Sequence, residues 1–103
     1  MIFGLSPEQQ RYIFTKVVRP LRGLGLKVFC YGSRARGTQK PFSDLDLMIE
    51  GSPSLENRRT AASIQEELTE GNFPLKVDLV FLDDFAVSYR PGYEKDKREW
   101  PEL

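Results

Sequence analysis

Three short runs rich in β-forming residues fix the frame of this chain. LKVFCY, Leu26 to Tyr31, is mostly apolar and bounded by Gly25 and Gly32, which reads as a buried strand. SDLDLMIE, residues 43–50, alternates: Asp44, Asp46 and Met48 should project from one face, and Leu45, Leu47 and Ile49 from the other, until Gly51-Ser52-Pro53 breaks the run. LKVDLVFL, Leu75 to Leu82, is a third strand. Ser6-Pro7-Glu8-Gln9 opens a helix with a Ser cap, Pro at the first helical position and Gln three residues past the cap. Tyr12, Ile13, Phe14 and Val17 give that helix its apolar face, and Pro20 should end it. Residues 54–70 form a second helix, with Leu55, Ala62, Ile64 and Leu68 as core candidates and Gly71-Asn72 as its stop. The order helix–strand–strand–helix–strand predicts an α+β domain, a small mixed sheet with helices on one face.

With 103 residues the chain is expected to form one domain with one modest core. Residues 1–89 should make up that domain. Residues 90–103, RPGYEKDKREWPEL, read as a charged tail in which Tyr93 and Trp100 could anchor a partner. No run approaches the ~20 apolar residues of a membrane span, and the N-terminus lacks the basic flank of a secretory signal. The lone Cys30 is compatible with a reducing compartment, so a cytoplasmic location is expected. The chain has no histidine. Ser-His-Asp and Cys-His nucleophile systems are therefore excluded within it, and chemistry must come from carboxylates, hydroxyls, Lys/Arg and the backbone.

Net charge is zero, but it is unevenly spread. Residues 1–43 carry eight Lys/Arg against the single acid Glu8, while residues 44–103 carry fourteen acids against seven bases. Such a division suits an anion bound together with cations, although the halves could equally neutralise each other across surface helices.

The stretch YGSRARGTQKPFSDLD, Tyr31 to Asp46, concentrates this pattern. Gly32 permits close backbone approach to a ligand, Ser33 adds a hydroxyl, and Arg34 and Arg36 are available for phosphate charge. No Gly-Lys-Ser/Thr follows, so this is not a P-loop. Asp44 and Asp46, two apart on a strand, would lie roughly 6.5–7 Å apart on one face, within reach of shared cations. Magnesium commonly takes one or two carboxylates plus substrate phosphates. Asp78 interrupts an apolar strand, where an unpaired buried charge would cost several kcal/mol. Pairing with an arginine, exposure on an edge strand, or a metal shared with Asp44 and Asp46 would each relieve it. Tyr31, Phe29 and Phe42 could stack on a nucleobase, but strand aromatics usually belong to the core. Cys30 is better read as a small core side chain than as a nucleophile. The adjacent Asp83 and Asp84 read as helix caps.

Gly32-Ser33, ten intervening residues, Asp44-x-Asp46 and then Asp78 within a strand resemble the DNA polymerase beta nucleotidyltransferase superfamily. YGSRARGTQKPFSDLDLMI and the later VDLV are similar to its small bacterial branch, the minimal nucleotidyltransferases. The resemblance covers roughly residues 26–82. It implies that Gly32 and Ser33 hold a triphosphate, that Asp44 and Asp46 bind two magnesium ions, and that Asp78 completes the catalytic metal and helps deprotonate the attacking hydroxyl. It further implies transfer of a nucleoside monophosphate, AMP from ATP, to a tyrosine of a small helical HEPN-type toxin, making the chain an antitoxin. Small-molecule nucleotidylation and non-catalytic occlusion of a helical partner are the competing functions. The second domain of larger relatives is missing, so a partner or a second copy would have to complete any acceptor site. Neither membrane nor direct nucleic-acid binding is expected.

Overall fold

The computed structural model describes residues 2–102. Helix α1 (Pro7–Ile13) starts at the expected capping box, in which the Ser6 hydroxyl accepts from the Gln9 amide and the Gln9 side chain accepts from the Ser6 amide. Pro20 does not end the helix. A π-helical turn (Phe14–Val18) follows α1 directly and leads into α2 (Arg19–Arg22). Proline lacks the N–H that would bond one turn back, and its ring crowds the carbonyl there. Widening the preceding turn, with the Arg19 amide bonded to the Phe14 carbonyl, carries the chain past this obstacle. The buried face consequently extends to Val18 and Leu21.

Strand β1 (Lys27–Tyr31) is followed by the four-residue helix α3 (Ser33–Arg36), then β2 (Leu45–Glu50), α4 (Leu55–Glu70) and β3 (Val77–Phe81). With the short β4 (Arg98–Glu99) at one edge, the sheet order is β3-β2-β1-β4. β1 runs antiparallel to β2, whereas β2 and β3 are parallel, joined by α4 as the crossover such a pair requires. The α+β class and the small mixed sheet are those expected from the sequence, with one strand more than the three foreseen. α4 is capped by Ser54 and buries Asn57, Ala61, Ile64 and Leu68. Leu55 and Ala62 are exposed instead: helical period places Ala61, not Ala62, on the row running from Asn57 to Ile64. The Gln65 side chain caps the outer edge of β3, accepting from the Leu79 amide at 2.8 Å and donating to the Val77 carbonyl at 2.8 Å. One glutamine thus satisfies edge groups that would otherwise be free to pair with another chain.

Residues 90–99, expected to belong to a tail, are folded. After short 3₁₀ turns at Leu82–Asp84 and Val87–Tyr89, helix α5 (Arg90–Asp96) and strand β4 (Arg98–Glu99) bring the chain back beside β1. Trp100 is 1% exposed and packs on Phe3, with ring centroids 5.1 Å apart. Its amide donates to the Val28 carbonyl, and its own carbonyl accepts from the Arg22 guanidinium. Buried Tyr93 donates to Glu50 Oε2 at 2.5 Å, and Lys97 donates to the same oxygen at 2.9 Å. Glu50 lies two residues beyond Met48 on the sheet face away from the main helices. α5 thereby covers one end of that face, and Met48 is fully buried there. Asp84 forms an ion pair with Arg58 on α4 at 2.5 Å.

Candidate active site

Strand register assembles the site. Tyr31 on β1, Asp46 on β2 and Asp78 on β3 are successive register partners, so the three side chains form one row across the sheet. Neighbouring strands are ~4.8 Å apart. Asp46 and Asp78 therefore lie side by side, two carboxylates on adjacent strands. Asp44 does not share the strand alternation: β2 begins at Leu45, and Asp44 is an exposed residue of the loop before it. The Leu45 amide bonds the Lys76 carbonyl, which starts the parallel ladder only after Asp44 has passed. Asp44 still acts on Asp46 through its charge. The Asp46 carboxyl is held above its ordinary value by burial first, then by the charges of Asp78 and Asp44, with Lys76 opposing weakly. Asp78 has only a long contact to Lys76, 3.8 Å, and both side chains are well exposed, so that pair contributes little.

The turn after β1 closes on Asp46. Gly32 has φ +76°, and a Cβ placed there would lie 2.9 Å from Asp46 Oδ2. Any other residue would be both strained and pressed against the carboxylate. Ser33 opens α3 beside it. Arg34 is not available for phosphate. It is 3% exposed, and its guanidinium donates to the carbonyls of Ser43 at 3.0 Å, Phe3 at 2.9 Å and Pro41 at 3.3 Å. Its planar fork pins the loop that delivers Asp44 and also ties in the N-terminal segment. Arg34→Met should cost about 3 kcal/mol, since buried carbonyls lose charge-assisted donors. A shift of the denaturant midpoint without a change in slope would report this. Arg36 is exposed and pairs with Asp96 at 3.1 Å, close to Gly32.

Tyr31 is the residue that pattern reading assigned to the core. Its phenol is pushed up to about 12 by burial, then by Asp46 and Asp78. The register with Asp46 shows instead that it borders the carboxylates. Cys30, on the opposite face, is pushed up to about 12 by burial and then by Asp46, which makes it an unreactive thiol.

The donor set suits a hard divalent cation, since it offers oxygen ligands only. Like charges on Asp46, Asp78 and Asp44 are left without a nearby cationic partner of comparable strength, which is the condition a metal relieves. Among the described residues, however, no three acidic side chains are already drawn together as a metal-holding group. The carboxylates are adjacent but not preassembled into a cage.

Residues 12–101 match the nucleotidyltransferase domain family, and the chain belongs to it. Several solved structures match, two of which share the fold as follows. One is a toxin–antitoxin complex with AMP-PNP, 22% identical, with a TM-score of 0.58 over 86% of this chain and 73% of that one. The other is a mutant of the toxin–antitoxin pair MntA-HpeT, 18% identical, with a TM-score of 0.65 over 91% of this chain and 73% of that one. No curated protein matches the sequence significantly. Among the described residues no helix is long and apolar enough to cross a membrane.

Proposed function

We propose that the chain transfers a nucleoside monophosphate, AMP from ATP, onto a hydroxyl of a protein partner, and that this modification makes it the antitoxin of a small helical HEPN-type toxin. The observation carrying this reading is the side-by-side placement of Asp46 and Asp78, with Gly32 closed on Asp46, in a chain of the nucleotidyltransferase family. Asp44, Asp46 and Asp78 would hold magnesium, which stabilises charge on the entering and leaving oxygens. The Gly32-Ser33 turn would receive the triphosphate, with Arg36 at its flank. An acceptor hydroxyl attacks the α-phosphorus, the new O–P bond forms as the bond to the β-phosphate oxygen breaks, and pyrophosphate leaves. Asp78, on the edge strand, would take the hydroxyl proton. Two toxin–antitoxin structures with the same fold support the antitoxin assignment.

The test is incubation with α-labelled ATP, magnesium and a candidate small helical HEPN-type partner. Label should appear on that partner and vanish with Asp78→Asn. Neutralisation that survives the substitution without labelling would replace transfer by occlusion.

A further inference from the structure

Beside Gly32, on the flank of the row away from Asp78, lies a cavity of about 200 Å³ lined chiefly by Tyr31, Gly32, Phe85, Tyr89, Gly92 and Tyr93. We infer that this slot is a nucleobase subsite, in which the base of the nucleotide stacks on Tyr89 while its phosphates lie over the Gly32 turn. The inference rests on the nucleotide-binding reading above and names where the base goes.

Four features point to a flat ring. The volume falls below the ~300 Å³ at which drug-sized pockets begin, so it suits one ring system rather than a whole nucleotide. Its aromatic walls meet edge-on or tilted: Tyr31–Phe85 at 71°, Tyr31–Tyr93 at 87°, Phe85–Tyr93 at 65° and Phe85–Tyr89 at 52°. No pair among these is stacked, which leaves ring faces unused where offset stacking would be favourable. Tyr31 and Tyr93 have structural partners that explain them, but Tyr89 is 65% exposed and touches the cluster only through Phe85. Gly92 lies inside α5, where glycine costs about 1 kcal/mol relative to alanine. Nothing lies within 4 Å of a Cβ built on it, so packing does not demand glycine at that position. A ligand that fills the space would. The slot also adjoins the carboxylate site, because Tyr31 and Gly32 line it and both neighbour Asp46.

The discriminating probes are magnesium with ATP and magnesium with inorganic tripolyphosphate, which has the phosphates but no base. Wild type should bind ATP more tightly than tripolyphosphate, and purine triphosphates more tightly than pyrimidine ones, since purines offer more stacking area. Tyr89→Ala should weaken ATP about tenfold, within the range for losing one base–aromatic stack, and leave tripolyphosphate unchanged. Gly92→Leu should do the same by filling the slot, without lowering the melting temperature. Should either variant lose ATP and tripolyphosphate equally, or neither, the base does not sit here, although the nucleotidyltransferase reading stands. Wild type binding neither probe would overturn both.

Discussion

Asp46→Asn should abolish nucleotidyl transfer, by at least about a thousandfold, and at the same time make the metal-free protein harder to melt at neutral pH. The activity loss follows from removing a central metal-holding oxygen, since several kcal/mol of charge stabilisation correspond to three or more powers of ten in rate. The gain in stability follows from the surroundings. Asp46 is partly buried, faces Asp78 across the parallel ladder and feels Asp44, so its ionised form is disfavoured. A folded-state value above the unfolded one means that the folded chain holds this proton more tightly. The resulting stabilisation is present in acid and is lost as pH rises from the usual aspartate value near 4 upward. Glu50 runs the other way. Burial raises its carboxyl, but the hydrogen bonds from Tyr93 and Lys97 outweigh burial and leave it lowered, so its contribution is lost as pH falls. Melting curves of wild type and Asp46→Asn across pH, without metal, isolate the Asp46 share as their difference. Magnesium should raise the wild-type midpoint and leave the variant nearly unmoved. A variant that melts lower than wild type at neutral pH would make Asp46 a structural carboxylate.

The carboxylate site and the C-terminal segment were unequally visible in the sequence. Gly32, Asp46 and Asp78 were legible because their signals are local: a glycine at the end of an apolar run, and an aspartate inside each of two strands. The sheet followed from the same periodicity. What local pattern could not supply was register. Only the pairing of Tyr31 with Asp46, and of Asp46 with Asp78, turns three separate strand positions into a row. Arg34 was misplaced for a related reason. An arginine in a basic glycine loop reads as a phosphate ligand, yet the carbonyls that claim it, at residues 3, 41 and 43, converge only in the fold. Asp44 falls within a boundary difference of two residues, since the strand starts at Leu45 and not at Ser43, enough to move a carboxylate from a strand face to a loop. The π-turn at Phe14–Val18 rescued a helix that Pro20 should have ended, a tertiary outcome driven by burial of Val17, Val18 and Leu21. The C-terminal residues were hardest to read, because charge, Pro and Gly hid two large buried side chains.

Those side chains carry the largest stability effect. Trp100→Ala should destabilise the chain by about 3–5 kcal/mol, the usual loss for truncating a large buried aromatic. That is a large fraction of the roughly 5–15 kcal/mol that holds a small domain together. Trp100 is 1% exposed and joins the same core as Val28, Cys30 and Leu21, so its removal leaves a void in the centre and not at the rim. Its backbone matters as well: the amide pairs with Val28 on β1 and the carbonyl with Arg22 on α2, fastening β4 to both layers. Ending the chain at Tyr89 should be worse still. Besides Trp100 it removes Tyr93, which is 3% exposed, together with both groups that donate to Glu50, and leaves a partly buried carboxylate without partners beside Met48. The truncated chain should therefore be largely unfolded in circular dichroism and amide exchange, and magnesium nucleotide should not recover it. If the truncated chain instead kept a cooperative melt and bound MgATP, residues 90–102 would be a dispensable appendage and their packing on the second sheet face would have no bearing on the fold. Partial recovery on adding a peptide of residues 90–102 would show that the segment docks on a preformed sheet. No recovery would show that the sheet forms only with the segment in place, as expected when one tryptophan bridges the helical layer and the outer strand.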